Sequence, residues 1–369
     1  MKPLDHLSAL DGLRGVAILV VLVHNLRLIK QPIDGDLISL AWVKVGDLGW
    51  IGVQLFFVLS GFLITRILLN TLSASNYYSG FYARRALRIM PLYYATLIVW
   101  LIVLPALSLV APHDSSHDGY LWVFLSNWVQ PLHPSGSGLA HFWSLAVEEQ
   151  FYLIWPLAIR WAAGKRGTAA GALWLCGAVA LASLAFRVAM LATGWPTEAV
   201  YEFTVCRMDA LAMGGAVAAA MALPNLRDWL TLRAKWVDCG ALAVFLMGAG
   251  VSRLYRQTGE VPQTAGYSLL ALAFALLVLS IALGRSHPVL RNGFLRAAGK
   301  YSYALYVFHY PFKMVSDTWI WPNGLGIPVV VADALRILIA SAVVSVLAML
   351  SYRFLEQPIL RQKHRFEAV

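Results

Sequence analysis

Nine residues separate Arg14 from His24 in an otherwise apolar run, and this pair is the first place where the sequence offers chemistry. Ten helical steps lift the imidazole about 15 Å along the axis from the guanidinium. Imidazole exchanges a proton near neutral pH, which suits general-base work. A histidine hydrogen-bonded across a helix contact is the plainer reading. Arg85 and Arg88 are three apart and share a face if helical. Two guanidinium forks suit phosphate recognition, and they equally suit a positive-inside anchor. Glu148 and Glu149 stand together in His141-Phe142-Trp143-Ser144-Leu145-Ala146-Val147-Glu148-Glu149-Gln150-Phe151-Tyr152. Positions 141, 144, 148 and 152 fall on one helical face, and Glu149 points about 100° away. Two adjacent carboxylates in an apolar segment are hard to explain as packing. One is expected to orient His24 or bind a substrate hydroxyl, the other to pair with an arginine; two structural ion pairs are the alternative.

Ser60 lies between Gly52 and Gly61 in the second apolar run. No Gly-x-Ser-x-Gly elbow surrounds it, so packing explains it better than a nucleophilic role. His309 lies inside the ninth apolar run and is a further functional candidate. Arg207 with Asp209 is a costly pair of the same kind. Arg353 and Glu356, three apart, read as a local salt bridge. His113, Asp114, His117 and Asp118 carry ligand types in a polar loop, but too few ligands accompany them for a metal site.

Such groups are costly only if the elements that position them sit in lipid, and composition says they do. Hydrophobic residues make up 59% of the chain and charged residues 13%, about half the charged share of a soluble domain. Ten spanning helices are expected, at 13–30, 50–69, 89–110, 142–161, 169–192, 207–223, 236–252, 266–284, 301–321 and 328–351. The fold class is therefore an all-α polytopic membrane bundle in one domain, 1–369. Segment 120–132 is too short to span and reads as interfacial or re-entrant. With the N-terminus cytoplasmic, one side carries most of the 29 Lys and Arg, including Lys2, Arg14, Arg84, Arg85 and Arg88, so both termini are expected there. No cleavage site follows the first span, so it is not expected to be a removable signal. The net charge of +10 is spread between apolar runs rather than along a basic stripe, which excludes nucleic acid as a partner. Three scattered cysteines suggest neither a disulfide framework nor a metal site.

Seven segments in series resemble the acyltransferase 3 family of membrane acyltransferases. They are Leu10-Asp11-Gly12-Leu13-Arg14-Gly15-Val16-Ala17, Phe56-Phe57-Val58-Leu59-Ser60-Gly61-Phe62-Leu63-Ile64, Arg84-Arg85 to Arg88-Ile89-Met90-Pro91, Trp143 to Tyr152, Arg207-Met208-Asp209-Ala210-Leu211, Tyr301 to His309, and Tyr352-Arg353-Phe354-Leu355-Glu356-Gln357-Pro358. The resemblance implies a ten-span fold in the inner membrane and transfer of acetyl or a related acyl group from acyl-CoA to a carbohydrate hydroxyl. Acceptors in that family include lipopolysaccharide O-antigen, exopolysaccharide, peptidoglycan, Nod factors and macrolide sugars. It implies His24, Glu148 and Glu149 as catalytic residues, and Arg14, Arg85, Arg88, Ser60 and His309 as residues around acyl-CoA, with no tightly bound cofactor. Some relatives carry an added SGNH-type domain, which is not expected here.

The chain departs from the family in one place. Ten residues separate arginine and histidine in the family pattern, and nine do here. Eleven helical steps return almost to the same face, whereas ten fall about 80° away. The competing classes are a transporter or flippase, whose charged groups would line a solute path, and a membrane sensor without turnover.

Overall fold

In hydrocarbon, apolar stretches of this length satisfy their backbone only as helices. The computed structural model describes residues 8–110, 113–134, 136–166, 169–285, 287–319 and 327–367, and every regular element among them is helical. The long helices are α1 (Ser8–Leu26), α2 (Leu37–Asp47), α3 (Ile51–Asn70), α4 (Tyr77–Ile98), α5 (Trp143–Arg166), α6 (Ala169–Ala192), α7 (Thr204–Ala222), α8 (Ala234–Val251), α9 (Tyr267–Ala282), α10 (Ser302–Trp319) and α11 (Val329–Ser351). Among the described residues, eight helical segments are long and apolar enough to cross a bilayer. The fourth and ninth expected spans, α5 and α10, are not among the eight. Their sequences carry the glutamates, histidines and tyrosines of the candidate site. Lys2 and the last residues of the ninth expected span, Ile320 and Trp321, lie outside the described residues, as do Ala111, Pro112 and Ser135 of the loop 111–141.

Several helix boundaries depart from the hydropathy reading. α1 is already helical at Ser8, the first described residue, rather than starting at 13. It stops at Leu26 rather than 30 because the backbone N–H groups of Leu28 and Ile29 donate to the Asp333 carboxylate, at 2.8 and 3.4 Å. α4 begins at Tyr77, twelve residues before the expected start, so Arg84, Arg85 and Arg88 ride on the helix itself, with Pro91 inside it. A spanning helix tolerates an interior proline where neighbours re-satisfy the freed groups. α2 was not expected. It is an amphipathic helix whose exposed face carries Leu37, Ile38, Leu40 and Val45. The segment 120–132 forms two short helical turns, Gly119–Trp122 and Ser126–Val129, held under α4 by Tyr93 and Tyr94 hydroxyls donating to the Leu121 and Trp122 carbonyls.

α3 is the central helix, packed on α1, α5, α7 and α9. Its crossing with α7 is reciprocal and tight. A Cβ at Gly61 would lie 1.8 Å from the Leu211 carbonyl oxygen, and one at Gly214 would lie 1.9 Å from that of Val58. Small residues let membrane helices approach to backbone contact. The buried charges next to this crossing are satisfied across helices. Asp209 pairs with Arg187 on α6 at 2.7 Å, not with Arg207, and Ser268 of α9 completes the cluster. Arg207 donates to Gln54 at 2.5 Å and lies 4.5 Å from the Tyr267 ring centroid. The expected Arg353–Glu356 bridge is also absent among the described residues. Residues Tyr352–Glu356 form a π-turn, which breaks the α-helical i,i+3 register, and Glu356 accepts from Ser351 instead.

Candidate active site

Two chambers lie end to end between α1, α3, α5 and α10, and the side chains that line them appear in the same order along each helix. On α1, Arg14 faces the first chamber, and Val21, His24 and Asn25 face the second. On α5, which runs the other way, Tyr152, Glu149 and Glu148 face the first and Trp143 the second, with His141 just before the helix. On α10, Ser302 and Tyr303 face the first and Tyr310 the second. Val53 and Tyr306 line both, and so form the boundary. The 80° rotation expected from the nine-residue spacing of Arg14 and His24 is realised, because both sit in regular helix. With the other helices packed around α1, the two side chains line different chambers.

The first chamber, about 90 Å³, gathers three guanidinium groups, from Arg14 on α1 and from Arg85 and Arg88 on α4. Among the described residues, none of the three makes an ion pair with a carboxylate. The Arg85 guanidinium lies 4.7 Å from the Tyr152 ring centroid. Ser60 hydrogen-bonds the Tyr152 hydroxyl, which donates to Glu148 Oε2 at 2.9 Å. This chain occupies Ser60 and fixes Glu148. The Oε1 atom of Glu149 is buried without a hydrogen-bond partner among the described residues. Guanidinium forks without an ion-pair partner among the described residues match phosphate geometry.

The second chamber is larger, about 320 Å³. His24 enters it half-buried, with its Nδ1–H donating to the Gly46 carbonyl oxygen at 2.8 Å, which leaves the Nε2 lone pair able to accept a proton. Glu148 and Glu149 are not brought to His24; a backbone carbonyl at the end of α2 orients it. His309 does not line the arginine chamber. Its Nδ1–H donates to the Tyr306 carbonyl at 2.6 Å, and its ring centroid stands 4.9 Å from that of His141. Tyr306 is held in turn: its hydroxyl donates to the His141 carbonyl at 2.9 Å and accepts from Ser144 at 2.6 Å.

Glu198 and Glu202 also line the second chamber, and sequence reasoning passed over them. Their four-residue spacing just before an apolar run was the available signal. Gly46 offered none, because its contribution is a carbonyl. The loop histidines form a local pair, His113 Nε2 with Asp118 at 2.8 Å, and no metal-ligating group of three occurs among the described residues.

Residues 7–353 match the acyltransferase 3 family model, described as "Acyltransferase domain". A Bacillus subtilis protein named "Putative peptidoglycan O-acetyltransferase YrhL" is 29% identical over 98% of this chain and 56% of its own length. The Listeria monocytogenes protein named "Peptidoglycan O-acetyltransferase OatA" is 27% identical over 96% of this chain and 56% of its own. The chain thus spans little more than half the length of these relatives. No solved structure matches it.

Proposed function

The chain belongs to the acyltransferase 3 family, and from that premise we propose that it carries an acetyl or related acyl group from acyl-CoA to a carbohydrate hydroxyl through the two chambers. Both chambers sharing Val53 and Tyr306 in their walls is the observation that carries this reading. An anion-binding chamber on one side of that boundary and a base on the other is what a two-sided transfer needs.

In this reading the phosphates of the donor rest on Arg85, Arg88 and Arg14. The acyl-bearing arm passes Ser60, Glu148 and Glu149 and brings its thioester to the boundary. His24 Nε2 takes the proton of a sugar hydroxyl that enters from the second chamber. The alkoxide oxygen forms the new C–O bond as the thioester C–S bond breaks, and the proton on His24 returns to the leaving thiolate. An acyl-imidazole at His24 is the alternative: Nε2 forms a C–N bond as the thioester C–S bond breaks, and the sugar oxygen then forms the C–O bond as that C–N bond breaks, its proton ending on the released thiolate. His309 and His141 back the second chamber. Ten spans, cytoplasmic termini and an inner-membrane location belong to the same reading, since they put the arginines on the side where acyl-CoA is made. The names of the relatives point to a peptidoglycan sugar as acceptor.

The test is release of free thiol from radiolabelled acetyl-CoA by the purified chain, with and without glycan acceptor. Acceptor-dependent release that disappears in His24→Ala supports the reading. Solute movement across vesicles with no thiol release would replace it with a transporter.

A further inference from the structure

We propose, resting on the reading above, that the His24 chamber is an acceptor subsite that takes a neutral or amine-bearing sugar and rejects an anionic one. The two chambers differ in charge. Three arginines line the first, together with Glu148 and Glu149. Glu198 and Glu202 line the second, and no lysine or arginine does. Two neighbouring cations have partners of their own. Arg207 lies behind the wall, 5.1 Å from the Tyr201 ring centroid, with its guanidinium on Gln54. Lys30 donates to the His24 carbonyl at 2.8 Å. A uronate or a phosphate on the acceptor would therefore meet two carboxyl groups, Glu202 half-buried and Glu198 at the exposed rim, with no lysine or arginine in the lining to pair with it.

Independent of charge, the chamber presents acceptors with nothing to accept from. His141 is 6% exposed and lines the wall. Its Nε2–H points to the Val307 carbonyl at 3.3 Å, and its Nδ1 has no partner among the described residues. Glu202 Oε2 is likewise buried without a partner. Sugar hydroxyls are donors of the right kind for both. Trp143, Tyr201 and Tyr310 supply flat apolar surface for the C–H side of a pyranose ring, and Asn25 and Gln257 also line the chamber. A volume of about 320 Å³ falls within the range of small-ligand pockets. The same polarity keeps the polyanionic end of the donor out of the acceptor chamber, so the substrates are sorted by charge.

The full chain in nanodiscs is tested with oligosaccharides matched in length, half of neutral N-acetylhexosamine and half with uronate at alternate positions. Binding is read by equilibrium dialysis, and thiol release from acetyl-CoA separately. The neutral set is expected to bind at least about tenfold tighter than the uronate set. Glu198→Lys, a change at an exposed side chain, should narrow the gap to about threefold or less by strengthening uronate binding, with CoA affinity unchanged. Glu202→Gln should weaken neutral binding without altering CoA affinity. Equal or tighter uronate binding in the native chain, an unchanged gap in Glu198→Lys, or no binding by either set overturns the proposal. Thiol release driven by uronate acceptors would overturn the charge selection and leave acyl transfer standing. Absence of thiol release with every oligosaccharide would remove the acyl-transfer reading itself.

Discussion

The imidazole of His24 and the carbonyl of Gly46 are joined by a 2.8 Å hydrogen bond, with Nδ1–H as donor. Gly46 is the penultimate residue of α2, so the acceptor belongs to the negative end of a helix. A carboxylate commonly fixes the tautomer of a catalytic histidine and steadies its imidazolium form. Here a backbone carbonyl occupies that position, and α2 is clamped to hold it there. Arg27 donates to the Val43 carbonyl at 2.8 Å and pairs with Asp47, and the Trp42 indole donates to Asp333 at 2.9 Å.

If His24 is the base, His24→Ala removes the proton acceptor and leaves the fold in place. Acceptor-dependent thiol release should fall by about a hundredfold or more, while the size-exclusion profile and CoA affinity stay as in the native chain. Retained turnover would take His24 out of the chemistry.

Gly46→Ala tests the clamp. The new Cβ would lie 2.6 Å from Arg27 Cδ, so Arg27 or the end of α2 must shift. The expected signature is a lower kcat, by about tenfold, at unchanged KM for acyl-CoA. A rise in KM alone would mean that α2 serves donor binding instead.

Arg85→Ala and Arg88→Ala each delete a cation of the first chamber. A hydrogen bond to a charged group contributes about 1.5–3 kcal/mol, so each should weaken CoA binding by roughly ten- to a hundredfold. Titration calorimetry with CoA, repeated at raised salt, reads this directly. Native affinity in both variants would reduce the pair to a topogenic anchor.

Val53→Trp fills the boundary between the chambers. CoA should still bind, because the arginines are untouched, and transfer should stop. Transfer at the native rate would show that the donor reaches His24 by another route.

Away from the chambers, Asp209→Asn leaves Arg187 buried without its partner carboxylate. Breaking a buried pair costs about 3–5 kcal/mol, so the variant should unfold earlier in detergent by thermal melt. Replacing both residues with apolar ones of similar volume should recover much of the loss. Equal melting of single and double variants would show that the pair contributes little.

The sequence was informative wherever a cost is local. Long apolar runs force helices, and the eight apolar spans follow from that alone. Charged and imidazole side chains inside such runs are expensive wherever the chain folds, and His24 and the Glu148–Glu149 pair stand out on that ground, whereas Arg85 and Arg88 stand out by sharing a helical face at a membrane boundary. The same reasoning set the rotation between Arg14 and His24, since it needs only the geometry of one helix.

Partnership was not legible, because it depends on atoms brought together from distant parts of the chain. Asp333, which ends α1, is more than three hundred residues from the backbone it caps. Asp209 sits two residues from Arg207 yet pairs with Arg187, because side chains two apart on a helix diverge and the nearest opposite charge lies on α6. The partner of His24 is a main-chain oxygen, which any residue type could supply. Only the packing of α1, α3, α5 and α10 decided that the arginines and the histidine face separate chambers with Val53 and Tyr306 between them.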